Sequence, residues 1–179
     1  MNKAIILPPC VEEWEGELPL FALDGLLPVD QALSVNTAYL IVSLVSTQAT
    51  SMNPILLQSL LTAMQLRILL PLLKSPRCCS HEILLASFFC SYRGLLAGLF
   101  SSQRAAKEEW LAALQETHLL LKRAQEQGTW RKELKQLYNV LSELRSKLHS
   151  FGLGISICTS GSAYALISLP AWQQEACAS

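Results

Sequence analysis

Residues 144–168, LRSKLHSFGLGISICTSGSAYALIS, decide the fold of this chain. The stretch begins as the end of a basic, leucine-rich helix and then enters two runs of alternating residues, 155–159 and 163–169. Because Ser160-Gly161-Ser162 separates the two runs, the pattern predicts a β-hairpin. A basic helix that leads directly into a hairpin usually contacts nucleic acid, yet residues 155–168 contain no lysine or arginine. The helix would therefore have to supply the basic contacts.

Two amphipathic helices are predicted before the hairpin. Residues 103–127 carry one apolar face, formed by Trp110, Leu111, Leu114, His118 and Leu121. A histidine on such a face is expected to lie in the core. Gly128 ends this helix, and Thr129 is the expected cap of the next. Residues 130–149 form the second helix, which ends at Gly152 and Gly154 and has a core face of Leu134, Leu137, Tyr138, Leu141, Leu144 and Leu148.

Capping signals place two earlier helices. The helical signal starts at residue 53, and Thr62 and Gln65 form a capping box before an apolar run. Pro71 lies inside this pattern, so the helix either kinks or tolerates the proline near its end. Ser80 offers a second N-cap, with Glu82 in the first turn, where the helix dipole favours a carboxylate.

The N-terminal region has a different character. Residues 1–35 contain prolines and glycines at intervals that exclude long helices. Asp24-Gly25 between apolar runs predicts a β-hairpin, and residues 37–46 fit a strand or a helix equally well.

Composition places the chain among folded proteins, and its charge is unevenly distributed. The 179 residues are 51% hydrophobic and 16% charged, with a net charge of zero. Residues 1–40 hold one lysine and six acidic residues, whereas residues 122–149 hold seven basic and three acidic residues. The chain is therefore acidic early and basic late.

Several classes of protein are disfavoured by the residues present. Six cysteines show no zinc-ligand spacing, and no phosphate-binding glycine loop or hydrolase motif occurs, so we expect no metal, no cofactor and no enzyme activity. No signal peptide is recognised, which favours a reduced, cytoplasmic protein. Two apolar runs, residues 54–73 and 83–100, are interrupted by Arg67 and Arg93, so buried helices fit better than membrane spans.

Two blocks of the sequence resemble the OmpR/PhoB-type winged-helix DNA-binding effector domain. Residues 61–89, LTAMQLRILLPLLKSPRCCSHEILLASFF, are similar to its first two helices, with matching leucine, cap and turn positions. Residues 140–148, VLSELRSKL, resemble the end of its recognition helix, and residues 154–168 resemble its wing. The resemblance implies an α+β, predominantly α, winged helix-turn-helix with an N-terminal β-rich segment and an inserted helix.

The expected organisation departs from the family in three ways. Residues 1–52 form a turn- and β-rich segment too short for a receiver domain, residues 53–170 the winged-helix domain, and residues 171–179 a tail. Residues 91–134 are an insertion where the family has a short loop. Ser160 and Ala165 replace basic residues of the wing, and Glu143 stands where the recognition helix is commonly basic.

The resemblance implies a transcriptional regulator that places its recognition helix in the major groove of double-stranded DNA. The candidate DNA-binding residues are Arg131, Lys132, Lys135, Asn139, Ser142, Arg145 and Ser146. The hairpin is expected to act as a packing brace through Ile155, Ile157, Tyr164 and Leu166. The alternative is a degenerate winged helix that serves protein–protein interaction or dimerisation, with residues 91–127 contacting the partner. The many leucine-rich faces also predict a homodimer.

Overall fold

The computed structural model describes residues 20–48, 54–159 and 161–170. The chain is α+β, about 49% helical and 23% strand, with two small antiparallel sheets. The strands are β1 (Gln31–Asn36), β2 (Ile41–Ser46), β3 (Ile55–Leu60), β4 (Cys79–Ser80), β5 (Leu153–Ile157) and β6 (Ala163–Ser168). The helices are α1 (Ala63–Lys74), α2 (His81–Phe89), α3 (Tyr92–Phe100), α4 (Glu108–Glu126), α5 (Trp130–Glu133) and α6 (Lys135–His149), with a 3₁₀ turn at Ala105–Lys107.

The first sheet has the order β1-β2-β3 and is antiparallel throughout. Residues 37–46 fitted a strand or a helix equally well by sequence, and the structure shows that Ile41–Ser46 is a strand. The expected helical start at residue 53 is wrong, since Ile55–Leu60 pairs with β2. The hairpin predicted at Asp24-Gly25 is also wrong: those residues form a turn closed by an isolated bridge, and the hairpin strands lie later in the chain.

Helix α1 begins where its capping box predicts. The Thr62 side chain accepts a hydrogen bond from Gln65 N, and the Gln65 side chain accepts one from Thr62 N. Pro71 lies within the helix, which continues to Lys74. Eight of the twelve residues of α1 are buried, so this helix forms the centre of the core.

Helix α2 is capped by Ser80, whose hydroxyl accepts from Ile83 N, as predicted. Its other end is held by Arg67 of α1. The Arg67 Nη1 donates to the carbonyl oxygens of Ser87 (2.7 Å) and Cys90 (2.9 Å). The guanidinium also lies over the Tyr92 ring, 5.6 Å from its centroid. One half-buried cation therefore joins α1 to the end of α2 and the start of α3.

The region between α2 and α6 contains three helices, α3, α4 and α5, where a single helix was predicted. Helix α3 packs against α4 at its two glycines, since a Cβ at Gly94 would meet Glu109 and a Cβ at Gly98 would meet Trp110. This Gly-x-x-x-Gly pair allows close approach of helices within one chain. Among the described residues, no helix is long and apolar enough to cross a membrane.

The apolar face predicted for the helix in residues 103–127 is only partly correct. Helix α4 begins at Glu108, after the 3₁₀ turn, and its buried residues are Trp110, Ala113, Thr117, Leu121 and Ala124. Leu111 is 48% exposed. His118 lies outside the core, with its Nδ1 3.2 Å from Glu82 Oε2. The buried face of α4 thus combines the small residues Ala113 and Ala124 with the large residues Trp110 and Leu121.

The last helix and the hairpin follow the predicted order with three differences. Residues 130–149 are divided at Leu134 into α5 and α6, and Thr129 makes no side-chain cap. The predicted core face of α6 is confirmed for Leu137, Leu141, Leu144 and Leu148. The helix ends at His149, Gly152 has a φ of +72° in the following turn, and Gly154 lies inside β5.

Strands β5 and β6 form the predicted hairpin, and β4 joins its β6 edge to give the order β4-β6-β5. Three of the four residues predicted to brace the core, Ile155, Tyr164 and Leu166, are buried. Ile157 is 57% exposed, so the prediction that it packs in the core is wrong. It is the last residue of β5, next to the hairpin tip.

Replacing Arg67 by methionine should lower the free energy of unfolding by about 2 kcal/mol, because two carbonyl oxygens at the end of α2 lose a charged donor. Chemical denaturation measures the difference. Arg77→Met is the matched control, since Arg77 is exposed and lies on the loop after α1. Equal stability of the two variants would contradict a bracing role for Arg67.

Candidate nucleic-acid interface

Helix α6 presents a polar stripe opposite its buried leucines. Lys135, Asn139, Ser142 and Ser146 are all exposed and recur at steps of four, three and four residues. Such steps keep side chains on one face of a helix. The buried face, which includes Leu137, Leu141, Leu144 and Leu148, fixes the rotation of the helix and hence the direction of the stripe.

Two further predicted residues lie just before this stripe in the chain. Arg131 and Lys132 lie on α5 and are exposed. Together with Lys135 they place three cations within five residues of the chain, at the junction of the two helices. These three residues are called the basic cluster below.

Arg145 and Lys147 are positioned differently from the basic cluster. Both are half-buried. The Arg145 Nε donates to the carbonyl oxygen of Ile155 at 3.0 Å, and the Lys147 Nζ donates to the carbonyl oxygen of Leu60. Arg145 thus holds α6 to the hairpin, and Lys147 holds it to β3. The predicted site residue Arg145 therefore stands apart from the exposed stripe.

Glu143, the acidic residue at a position where a basic one was expected, has a partner that the sequence did not indicate. Its Oε2 accepts a hydrogen bond of 3.0 Å from the side-chain Nε2 of Gln65, which is buried. Gln65 also belongs to the capping box of α1. The carboxylate therefore connects the start of α1 to the middle of α6.

A buried histidine lies beneath the junction of α5 and α6. His81 is 4% exposed, and its ring makes edge contacts with Trp130, Tyr138 and Tyr164, at centroid distances of 6.0, 6.0 and 5.1 Å. Among the described residues, neither ring nitrogen has a hydrogen-bond partner. Burial lowers the pKa of His81 below its ordinary value of 6.5, so the ring is neutral in the folded protein at neutral pH.

The hairpin offers the candidate interface no charge. Its strands present exposed Ile157 and Ile167 and half-buried Ser156, and Ser160 lies outside the described residues. In the part of the chain that the structure describes, no cluster of three His, Cys, Asp or Glu residues could hold a metal ion.

A separate apolar groove lies between α2 and α4. It encloses about 360 Å³ and is lined by Phe89, Glu116, Thr117, Leu119, Leu120 and Arg123. Phe89 is 54% exposed, whereas Thr117 is fully buried. Apart from Phe89, its lining residues lie within residues 91–127, for which the sequence predicted contact with a protein partner.

Searches against protein-family models, curated proteins and solved structures found no match.

Replacing His81 by phenylalanine should make stability less dependent on pH below 6.5. The unfolded chain binds a proton at His81 below this ordinary pKa, whereas the folded protein resists it, so the free energy of unfolding falls as the pH falls. This one group contributes up to about 1.4 kcal/mol per pH unit. The phenylalanine variant keeps the ring contacts and loses the titration.

The measurement is chemical denaturation of both proteins at a series of pH values from 7.5 to about 5. The difference between the two proteins isolates His81, because all other titrating groups are common to both. Parallel stability curves across this range would contradict burial of a neutral His81.

Proposed function

We propose that this protein binds double-stranded DNA as a winged-helix protein, with α6 as the recognition helix in the major groove. The observation that carries the proposal is the exposed stripe of Lys135, Asn139, Ser142 and Ser146 on a helix whose opposite face is buried. A helix held in this way can enter a groove without exposing its core.

The order of the elements supports a winged helix. A small antiparallel sheet precedes α1 and α2, α6 follows the insertion, and the β5–β6 hairpin comes directly after α6. This is the order that the resemblance to the OmpR/PhoB-type effector domain implies. The pairing of β4 with β6 adds to this support, since it joins the start of α2 to the hairpin.

The residues of the stripe have different chemical roles in the proposal. Arg131, Lys132 and Lys135 bind phosphates, because their charges are exposed and lie at one end of the helix. Asn139 reads a base edge, since a side-chain amide can pair with adenine through two hydrogen bonds. Arg145 is a positioning residue that keeps α6 on the hairpin through its bond to Ile155.

The hairpin acts as a brace in this proposal. It has no basic residue between positions 155 and 168, so it adds no electrostatic affinity. It holds the helix instead, through the buried side chains of Ile155, Tyr164 and Leu166 and through the carbonyl that Arg145 binds.

A second candidate function is binding of a protein partner through the insertion. The groove between α2 and α4 favours it, because exposed Phe89 and Leu119 lie beside an apolar space. On this hypothesis, the winged-helix frame serves as a scaffold and does not bind DNA.

Replacing Lys132 and Lys135 together by alanine should weaken binding to duplex DNA and reduce its salt dependence. Loss of two phosphate contacts lowers the slope of log K against log salt concentration by about 2. The measurement is fluorescence anisotropy at several salt concentrations, with a random-sequence duplex of about 30 base pairs as the probe.

The matched control is Arg104→Ala with Lys107→Ala, which removes the same charge from the turn before α4. This control should keep the wild-type slope. An equal loss of DNA affinity in both double variants would mean that net charge alone determines binding. If the wild-type protein does not bind DNA at low salt, the DNA hypothesis is rejected in favour of the protein partner.

Asn139→Ala should change which DNA sequences are preferred without changing the salt slope, because the amide makes no phosphate contact in the proposal. Selection from a random duplex library should show one position relaxed, at a cost of about 1–3 kcal/mol for the preferred base. Ser102→Ala, an exposed polar change outside α6, is the control. An unaltered sequence preference in Asn139→Ala would exclude base reading by this residue.

A further inference from the structure

Two cysteine thiols that are distant in the chain lie next to each other beside the hairpin. None of the four cysteines in the described part of the chain forms a disulfide. The Cys158 thiol donates a hydrogen bond of 3.8 Å to the carbonyl oxygen of Arg77, the residue directly before Cys78. The Cys78 thiol is also a hydrogen-bond partner of the Cys158 thiol. The fold therefore brings these two thiols together.

The second sheet explains why the two cysteines meet. Strand β6 lies between β4 and β5, so residues beside these two strands approach each other across β6. Cys79 pairs with Tyr164 on the buried face, and alternation turns Cys78 to the other face. Cys158 N donates to Ala163 O at 2.8 Å, which places Cys158 beside Ala163. The small side chain of Ala163 leaves room for the thiols to meet on the outer face.

Exposure separates the reactive pair from the third cysteine of this region. Cys78 is exposed and Cys158 is half-buried, whereas Cys79 is fully buried. Burial first, and then the thiols of Cys78 and Cys158, raise the pKa of Cys79 to about 12. Because the thiolate is the species that reacts, Cys79 stays an inert thiol. Cys78 and Cys158 are left as the two thiols that a small oxidant in solution can reach.

The backbone at both positions can adjust to a bond between them. Cys78 lies in the loop between α1 and β4, and Cys158 follows the last residue of β5 at the start of the hairpin turn. Both residues thus lie outside the strand ladders. The Pro76 carbonyl oxygen accepts a 2.7 Å hydrogen bond from Leu166 N, which keeps this loop against β6. A disulfide needs a Cα separation of about 4.4–6.8 Å, so a small shift of the loop closes the bond.

We propose that Cys78 and Cys158 form a reversible redox site, which closes to a disulfide when the protein meets oxidised glutathione. The site is open, as two thiols, in the structure described above. The proposal does not depend on DNA binding by α6 or on a protein partner at the α2–α4 groove.

The reaction is thiol–disulfide exchange in two steps. The exposed Cys78 loses its proton and attacks one sulfur of oxidised glutathione, which breaks the glutathione S–S bond and releases one glutathione thiolate. Cys158 then loses its proton and attacks the Cys78 sulfur, and the second glutathione thiolate leaves. The two protein thiols are oxidised, one glutathione disulfide is reduced to two thiols, and those thiols take up the two protons.

The environment of Cys158 assigns it the second step. Burial, followed by the neighbouring Cys78 thiol, raises the pKa of Cys158, so it forms less thiolate for attack on a molecule from solution. Once Cys78 carries glutathione, the attack by Cys158 takes place within one molecule, where the effective concentration of the thiol is high. Proximity therefore favours closure of the ring over a second mixed disulfide.

The disulfide would join the hairpin tip to the loop after α1. In the open form, the two residues of β4 pair with β6 beside this position. The new bond closes a long loop of the chain, which restricts the unfolded state. We therefore expect the oxidised protein to unfold at a higher denaturant concentration than the reduced protein.

The first test is equilibration of the folded full chain with mixtures of reduced and oxidised glutathione at about pH 8, followed by acid quenching, digestion and mass spectrometry. Fragmentation of the linked peptides locates the bond. The wild-type protein should acquire a Cys78–Cys158 disulfide as oxidised glutathione increases and lose it with dithiothreitol. Cys158→Ser should abolish the bond and leave Cys78 as a glutathione mixed disulfide. Cys90→Ser is the matched control, because Cys90 is buried outside this site.

Each outcome decides the proposal. A Cys78–Cys158 bond in the wild-type protein and in Cys90→Ser supports it. Separate glutathione adducts on Cys78 and Cys158, thiols that stay reduced at the most oxidising mixture, or a bond from Cys158 to Cys79 or Cys177 overturns it.

The second test compares chemical denaturation of oxidised and reduced wild-type protein, and so needs no variant to fold. The midpoint should be higher for the oxidised protein and return to the reduced value after dithiothreitol. Cys158→Ser should show no such shift after the same treatment. An oxidised midpoint equal to or below the reduced one would overturn the proposal, because the bond would then form only where the local structure has opened.

Discussion

Burial of α1 is the constraint on which the rest of the structure depends. Eight of its twelve residues are buried, so the polar side chains of this helix must find partners inside the protein. Arg67 finds two carbonyl oxygens at the end of α2, which fixes where α2 stops and α3 starts. Gln65 finds Glu143, which fixes α6 against the start of α1. Two polar residues on one helix thus align three others.

The parts of the fold that the sequence predicted correctly are those determined by neighbouring residues. The caps at Thr62 and Ser80 and the turn at Gly161 depend on contacts within a few positions, and all three stand where the local pattern predicts. The buried face of α6 also follows from spacing alone, because its leucines recur at one helical period. The polar stripe opposite that face was therefore predictable as well.

Two local signals, the cap at Thr129 and the hairpin at Asp24-Gly25, were wrong. The other errors occur where distant residues decide the outcome. β3 is a strand because β2 pairs with it, although its leucines fit a helical pattern equally well. Helix α4 buries Ala113 and Ala124 and leaves Leu111 exposed, whereas a sequence pattern favours the larger side chains for the core. Arg145 and Lys147 bind carbonyl oxygens of β5 and β3, and no spacing within α6 indicates such partners.

These contacts bear on how strongly one copy could bind DNA. Arg67, Arg145 and Lys147 each donate to backbone carbonyl oxygens, so much of their donor capacity holds the fold together. The basic cluster of Arg131, Lys132 and Lys135 is left as the exposed positive charge beside the stripe, and the hairpin adds none. If these three residues contact phosphates as proposed, three contacts would give modest affinity that salt readily weakens.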